Sequence, residues 1–337
     1  MILRLCCFSF IPCEHRDMTQ KIVILPVQAD RDNTPYEDAH LATVAAAERH
    51  GFSIVDPDDG DATVIMVVRM IDSDIIEATL EANPHISWIQ LPYAGVETFL
   101  PVAEKYPHVT FTSAKGTYAP PVAEHALALT LALLRHLPER IRATSWGASY
   151  GTTLNGANVV IVGGGGIGAE LVRLFSVWDT DITVVRRSTT PVQGADRTVT
   201  SDRLDEVLPN ADVVVVAAAA TPETTKMFGP EQFELMKDQS VLVNIARGTL
   251  IDTDALVAAL ADRRIHSAGL DVTDPEPLPD GHPLWAEPNC IITPHTADTA
   301  EMVIPLLDAR IERNLANLAN DVATDKFEGL VDVQAGY

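Results

Sequence analysis

Cysteine, positive charge and long apolar runs are all scarce in this chain. Its four cysteines are Cys6, Cys7 and Cys13, close together near the amino terminus, and Cys290, alone in an apolar stretch. No spacing among them suggests a disulfide framework or a thiolate metal site. Only 24 residues are Lys or Arg against 47 acidic ones, a formal charge of -23, which argues against nucleic acid or an anionic membrane surface as a general partner. That acidic field would also repel an anionic substrate. Any site for one must therefore be made locally positive by an arginine or a helix N-terminus. No run approaches the ~20 apolar residues of a membrane span, so a cytoplasmic location is expected. Internal repeats and low-complexity tracts are absent too.

What the chain does have is size and apolar content: 337 residues, 47% hydrophobic, enough for two ordinary domains. The opening "MILRLCCFSFIPCEHRD" has one early arginine and a short apolar stretch but no small-residue cleavage site. "MTQKIVILP" from Met18 reads as a first strand, and residues 1–17 are expected to be an upstream extension without function. Beyond it, β-branched runs alternate with helical patterns: "KIVIL" at 21–25, a helix near 38–50, "ATVIMVV" at 62–68, a helix near 73–82 and "ISWIQL" at 86–91. This is the rhythm of βαβ units and a parallel sheet. "PPVAEHALALTLALLRHLPERIR" reads as one long buried helix joining two domains. Six further strands follow, "NVVIVG", "DITVV", "ADVVVVAAAA", "SVLVNIA", "HSAGLDV" and "NCIITPH", and then a helical pattern over 298–320. The expected architecture is α/β. A doubly wound, Rossmann-type parallel-sheet nucleotide domain (119–296) is inserted into a smaller flavodoxin-like α/β substrate domain (18–118, completed by 297–337).

Gly163, Gly165 and Gly168 form G-x-G-x-x-G between a strand and a helix. The first allows the tight turn, the second lets the backbone approach a pyrophosphate and the third allows close helix packing, with the anion on the helix N-terminus beside Gly166 and Ile167. An NAD site normally carries Asp or Glu about 20 residues on, to accept from the ribose 2′-hydroxyl. Here the second strand runs into Arg186, Arg187 and Ser188, and Asp179 and Asp181 fall at its far end. A guanidinium fork binds a 2′-phosphate that a carboxylate would repel, which favours NADP(H). NAD(H) stays as the alternative, because NAD enzymes can also lack the acid.

Three fragments at later strand ends carry chemistry-bearing residues: "VNIARGTLID" with Arg247, "GLDVTDPEP" with Asp271 and Glu276, and "ITPHTADT" with His295. Together with the glycine turn they resemble the D-isomer-specific 2-hydroxyacid dehydrogenase family, which includes glyoxylate/hydroxypyruvate reductases and phosphoglycerate dehydrogenases. The likeness spans roughly 19–337 and keeps the order of its parts. The chemistry wants these residue types. Arg247 supplies a planar, permanent charge for the carboxylate of a 2-oxo acid and polarises its carbonyl. His295 is the proton donor and acceptor, and Glu276 fixes its tautomer and raises its pKa.

The resemblance further implies that Asp271 faces the nicotinamide, that Ala218 and Ala246 line the cofactor path, and that the backbone of Gly95 and Val96 is a second grip on the substrate carboxylate. Tyr93 stands open to substrate contact. The stretch 140–153, with Trp146, lies where relatives pack against a second subunit, so a homodimer is expected. His125 and His282 are expected to be packed rather than catalytic. A metal site from Asp271, Asp274, Glu276 and His295 is disfavoured, since hydride transfer needs none. The expected reaction is NADPH-dependent reduction of a small 2-oxo acid to a D-2-hydroxy acid. The alternatives are an NAD-dependent enzyme like phosphoglycerate dehydrogenase, and a non-catalytic, dinucleotide-sensing protein of the corepressor type.

Overall fold

The computed structural model describes residues 20–27 and 34–336. The expected extension 1–17 and its three cysteines lie outside the described residues. Two parallel sheets organise the rest. The first contains β1 (Lys21–Leu25), β2 (Ser53–Ile54), β3 (Val64–Val67), β4 (Trp88–Gln90) and β5 (Thr110–Thr112) in the order β2-β1-β3-β4-β5. That is the 2-1-3-4-5 order of flavodoxin-like sheets. The second contains β6 (Asn158–Val162), β7 (Asp181–Arg186), β8 (Arg197–Thr200), β9 (Val213–Val216), β10 (Val241–Asn244), β11 (Ser267–Leu270) and β12 (Cys290–Ile292). Its order, β12-β11-β10-β9-β6-β7-β8, is the doubly wound order with one strand added. The direction of winding reverses between β6 and β9, which opens the ligand crevice beyond their carboxyl ends.

The strand interiors are β-branched and buried on both faces, as parallel sheets covered by helices require. Val213, Val214, Val215 and Val216 in β9 are all 0% exposed. Three strands were not expected from the sequence: β2, β5 and β8. The second sheet therefore has seven strands rather than six.

The long connecting helix is a second departure. It runs Ala119–Leu134, breaks, and resumes as Leu137–Arg142, with His136 in the left-handed region at φ 52°. Pro138 is the cause: inside a continuous helix its ring would clash with the Leu134 carbonyl and it has no N–H to offer. The Leu134 oxygen instead accepts from Thr152 N at 2.9 Å.

After the second sheet the chain returns through helix Ala300–Ala319, which packs on helix Thr34–Arg49. Buried polar groups fix the return. Asn314 Nδ2 donates to Gln90 Oε1 at 3.1 Å, and the buried Arg310 donates to the carbonyls of Ser113 and Lys115 at 3.1 and 3.2 Å. The segment beyond it lies along β5, with Ser113 N donating to Gly329 O and Val331 N to Phe111 O. Among the described residues, no helix is long and apolar enough to cross a membrane.

Candidate active site

The glycine turn follows β6. Gly163 has φ 119°, and a Cβ on it would strike the backbone of Ala217 and Ala218. A Cβ on Gly168 would strike the Gly163 carbonyl oxygen, so helix Gly166–Ser176 rests directly against the turn. At Gly165 a Cβ would have no atom within 4 Å. Room for a pyrophosphate is thus left over the middle glycine, at the N-terminus of an 11-residue helix whose free N–H groups suit an anion. The turn fits a dinucleotide. Ile167 packs on the apolar core and Gly166 faces Gly116.

At the end of β7, Arg186 crosses the turn, its Cδ 2.9 Å from where a Gly164 Cβ would stand, and its Nη1 donates to Thr190 O at 3.3 Å. Arg187 and Ser188 follow on the exposed side, with Lys115 and Glu223 within electrostatic reach of Arg187. Asp181 begins β7 and Asp179 precedes it, at the opposite end from the crevice.

The carboxyl ends of β10, β11 and β12 carry Arg247, Asp271 and His295. His295 has φ 51°, a backbone conformation uncommon for a residue with a Cβ. Its amide donates to Asp271 O at 2.8 Å. Nδ1 donates to Glu276 Oε1 at 2.7 Å, which leaves Nε2 for a substrate. Asp271, 2% exposed, anchors this turn. Oδ1 accepts from Thr293 Oγ1 at 2.6 Å and Thr296 N at 2.9 Å, and Oδ2 from Ala297 N at 3.0 Å. His125 Nε2 lies 3.4 Å from Oδ1 and 2.9 Å from Thr293 Oγ1. Burial by itself would raise the Asp271 pKa, but these donors outweigh it and hold the carboxyl at about 2.

Arg247 is set by a buried polar residue inside an apolar strand. Asn244 Oδ1 accepts from Ala246 N at 3.0 Å while its Nδ2 donates to Arg247 O at 2.9 Å. Arg247 Nη1 donates to Ala246 O at 2.7 Å. Its fork points across the cleft to the loop after β4. There Arg247 Nε is 3.8 Å from Glu97 Oε1, and a Cβ on Gly95 would collide with Arg247 Nη2. The structure thus brings Gly95 and Arg247, expected to hold the same carboxylate, into contact. Val96 is buried in the small sheet's apolar cluster and Tyr93 packs beside it, its carbonyl accepting from Ala114 N at 2.7 Å.

A cavity of about 530 Å³ lies elsewhere. It is lined by His136, Tyr150, Arg263, His266 and Asn289, at the amino ends of β10 to β12, away from all of these groups. His282 caps a short helix, Nδ1 accepting from Leu284 N at 3.3 Å. Burial pushes the lone Cys290 thiol up to about 12, far from the thiolate that nucleophilic chemistry requires.

A glycine turn at the switch point of a doubly wound sheet, facing a histidine–carboxylate pair and an arginine, is the arrangement of a dinucleotide-dependent oxidoreductase. Comparison with known proteins narrows the class. A family model described as "D-isomer specific 2-hydroxyacid dehydrogenase, NAD binding domain" matches residues 127–297. The human glyoxylate reductase/hydroxypyruvate reductase is 36% identical over 182 residues, 51% of this chain and 56% of that protein. A glyoxylate reductase of Thermofilum pendens is 31% identical over 71% of this chain and 72% of its own. Among solved structures, a D-isomer specific 2-hydroxyacid dehydrogenase from Xanthobacter autotrophicus Py2, in complex with NADPH and MES, superposes with a TM-score of 0.78. It covers 95% of this chain and 100% of that one at 24% identity. The chain belongs to the D-isomer-specific 2-hydroxyacid dehydrogenase family, whose members are NAD(P)-dependent oxidoreductases.

Sequence reasoning missed Asn244, Thr293 and Glu97, and it took His125 as packed without seeing its partners. Asn244 carried a signal, a polar side chain interrupting "VLVNIA". The partner of His125 carried none, because Thr293 is 168 residues away.

Proposed function

We propose that the protein reduces a small 2-oxo acid, of the glyoxylate or hydroxypyruvate type, to the D-2-hydroxy acid with NADPH as preferred donor. The observation that carries this reading is the convergence of Arg247, the Gly95–Val96 loop and the His295–Glu276 pair on one cleft beside the glycine cradle. Gly163, Gly165, Gly166, Ile167 and Gly168 would hold the pyrophosphate, with Ala218, Ala246 and Asp271 along the cofactor path. A reduced nicotinamide held there would supply the hydride for the carbonyl carbon. Arg247 grips the substrate carboxylate and, with the Gly95–Val96 backbone, fixes which face of the carbonyl is presented; Tyr93 borders the substituent. His295 Nε2 gives its proton to the carbonyl oxygen as negative charge develops there. Glu276, accepting from Nδ1–H, fixes the ring's orientation and stabilises the imidazolium whose Nε2 carries that proton. The names of the human and Thermofilum relatives support this substrate class.

NADPH oxidation measured with glyoxylate, hydroxypyruvate, pyruvate and phenylpyruvate tests the reaction. His295→Ala should lower kcat/KM by about 10² to 10⁴. Dinucleotide binding without turnover of any acid would instead indicate the sensing protein. Turnover confined to NADH and a phosphorylated acid would indicate the phosphoglycerate dehydrogenase-like alternative.

The cofactor preference rests on Arg186, Arg187 and Ser188 standing where an acid would accept from a ribose. Arg187→Ala should raise KM for NADPH about tenfold or more, because it removes a charge-assisted hydrogen bond to the 2′-phosphate, and leave KM for NADH nearly unchanged. Equal effects on both would defeat the assignment. The same reading takes the protein as a homodimer, with the 140–153 segment at the contact.

A further inference from the structure

Two carboxylates with no part in the His295–Glu276 pair act on Arg247, Glu97 across the cleft and Asp298 within its electrostatic reach. Glu97 opens the short turn Glu97–Phe99 after β4. Its Oε1 is 3.8 Å from Arg247 Nε, and its Oε2 is 2.6 Å from where a Gly95 Cβ would stand, the same space that Arg247 Nη2 borders. The pair is roughly half exposed, 40% and 48%, so it is a labile contact that an incoming carboxylate can replace.

Asp298 lies three residues beyond His295 and is part-buried. The amide just before it, Ala297 N, is fixed on Asp271 Oδ2, and His295, Asp271 and Arg247 are its electrostatic neighbours. Burial pushes its carboxyl above the ordinary aspartate value, against the pull of His295 and Arg247. Two other cations lie in the loops after β3 and β5. Arg69 follows β3 and already has a partner, and Lys115 is engaged likewise and has Asp332 within electrostatic reach.

On the reading that the cleft takes 2-oxo acids, this arrangement fixes which ones. The substrate's own carboxylate brings one negative charge, which Arg247 balances, displacing Glu97. A second negative charge on the substituent, a phosphate or a distal carboxylate, then faces Glu97 and Asp298 under the field of an already acidic protein. We propose that Glu97 and Asp298 are specificity-determining residues that admit a neutral substituent on the 2-oxo acid and reject an anionic one.

The test separates charge from size. kcat/KM with NADPH is measured for oxaloacetate and for its distal amide, 2-oxosuccinamate, which has nearly the same shape and one charge fewer. The wild type should favour the amide by more than tenfold. Glu97→Gln and Asp298→Asn should each shrink that ratio by about three- to tenfold, the effect of removing one charge a few ångströms away in a partly solvated cleft. Should a variant fold poorly, the wild type alone still reads the effect: raising salt from about 0.05 to about 0.5 M should narrow its ratio severalfold. A wild-type ratio within threefold of unity, or one that neither variant nor salt moves, overturns the proposal while leaving the reductase reading intact. Failure to reduce glyoxylate as well as both members of the pair removes the reductase reading and this inference with it.

Discussion

Asp271 and Asp308 are both withdrawn from water, and their surroundings move them in opposite directions. Asp271 is surrounded by donors from Thr293, Thr296, Ala297 and His125 and is held at about 2, below its ordinary 3.8. Its contribution to stability is complete above that ordinary value and disappears as pH falls through about 2. Asp308, part-buried on the return helix, has an Oδ1 without a hydrogen-bond partner among the described residues. Burial, with Asp38 adding like charge, pushes it up to about 6. Because the folded value lies above the unfolded one, the native state prefers the protonated acid. The cost of ionising it grows as pH rises from 3.8 to about 6 and is constant above. Two units correspond to about 3 kcal/mol, and partial exposure reduces this to about 1–2 kcal/mol. Asp308→Asn should therefore stabilise the protein by about 1–2 kcal/mol at pH 8 and by almost nothing near pH 4, read from urea unfolding at both. A stabilisation independent of pH would assign the gain to packing instead.

The elements that sequence could reveal and those it could not divide by their place in the sheets. The central strands β3, β6, β9 and β10 are, apart from Asn158 and Asn244 at strand ends, runs of Val, Ile, Leu and Met buried on both faces, and composition alone marks such runs. The strands that escaped notice are all at edges: β2 and β5 close the smaller sheet, and β8 closes one side of the larger. β2 and β8 have one neighbour each and little burial, so their sequences need not be apolar, whereas β5 is buried but only three residues long, two of them threonine. "RTVT" in β8 has no buried residue, and β2 is two exposed residues. The break at His136 was written in Pro138, but the apolar pattern on either side of it reads as continuous.

In the site, Arg247, Asp271 and His295 were legible because each follows a strand that points it at the crevice, and their residue types are chemically demanding. The groups that set them were not. His125 approaches Asp271 from the connecting helix, and Glu97 approaches Arg247 from the other sheet. Such pairings exist only after the chain has folded. Asp271 was expected beside the nicotinamide; the structure adds that its three hydrogen bonds also hold the His295 turn.

On the scale of the whole molecule, a formal charge of -23 opposes association of two copies unless a local apolar surface offsets it. One segment offers such a surface. Between Leu137 and Tyr150, Ile141 is 79% and Trp146 98% exposed, a degree of exposure that large apolar side chains rarely keep in a solitary protein. The segment is held in place from within. Arg140 Nη2 donates to Ala148 O at 2.6 Å, its guanidinium lies 3.9 Å from the Tyr150 ring centroid, and Arg142 Nη2 donates to Pro288 O at 3.0 Å. A tethered loop that presents a bare tryptophan has the form of an interface anchor, since aromatic side chains concentrate binding energy when a partner excludes water around them. The proposed homodimer should appear as twice the chain mass by light scattering at micromolar concentration. Trp146→Asp should shift it to monomer without altering the far-ultraviolet circular dichroism, because the side chain contributes almost nothing to the packing of its own subunit. A monomeric wild type would refute the dimer, and a Trp146→Asp variant that stays dimeric would move the interface away from this segment.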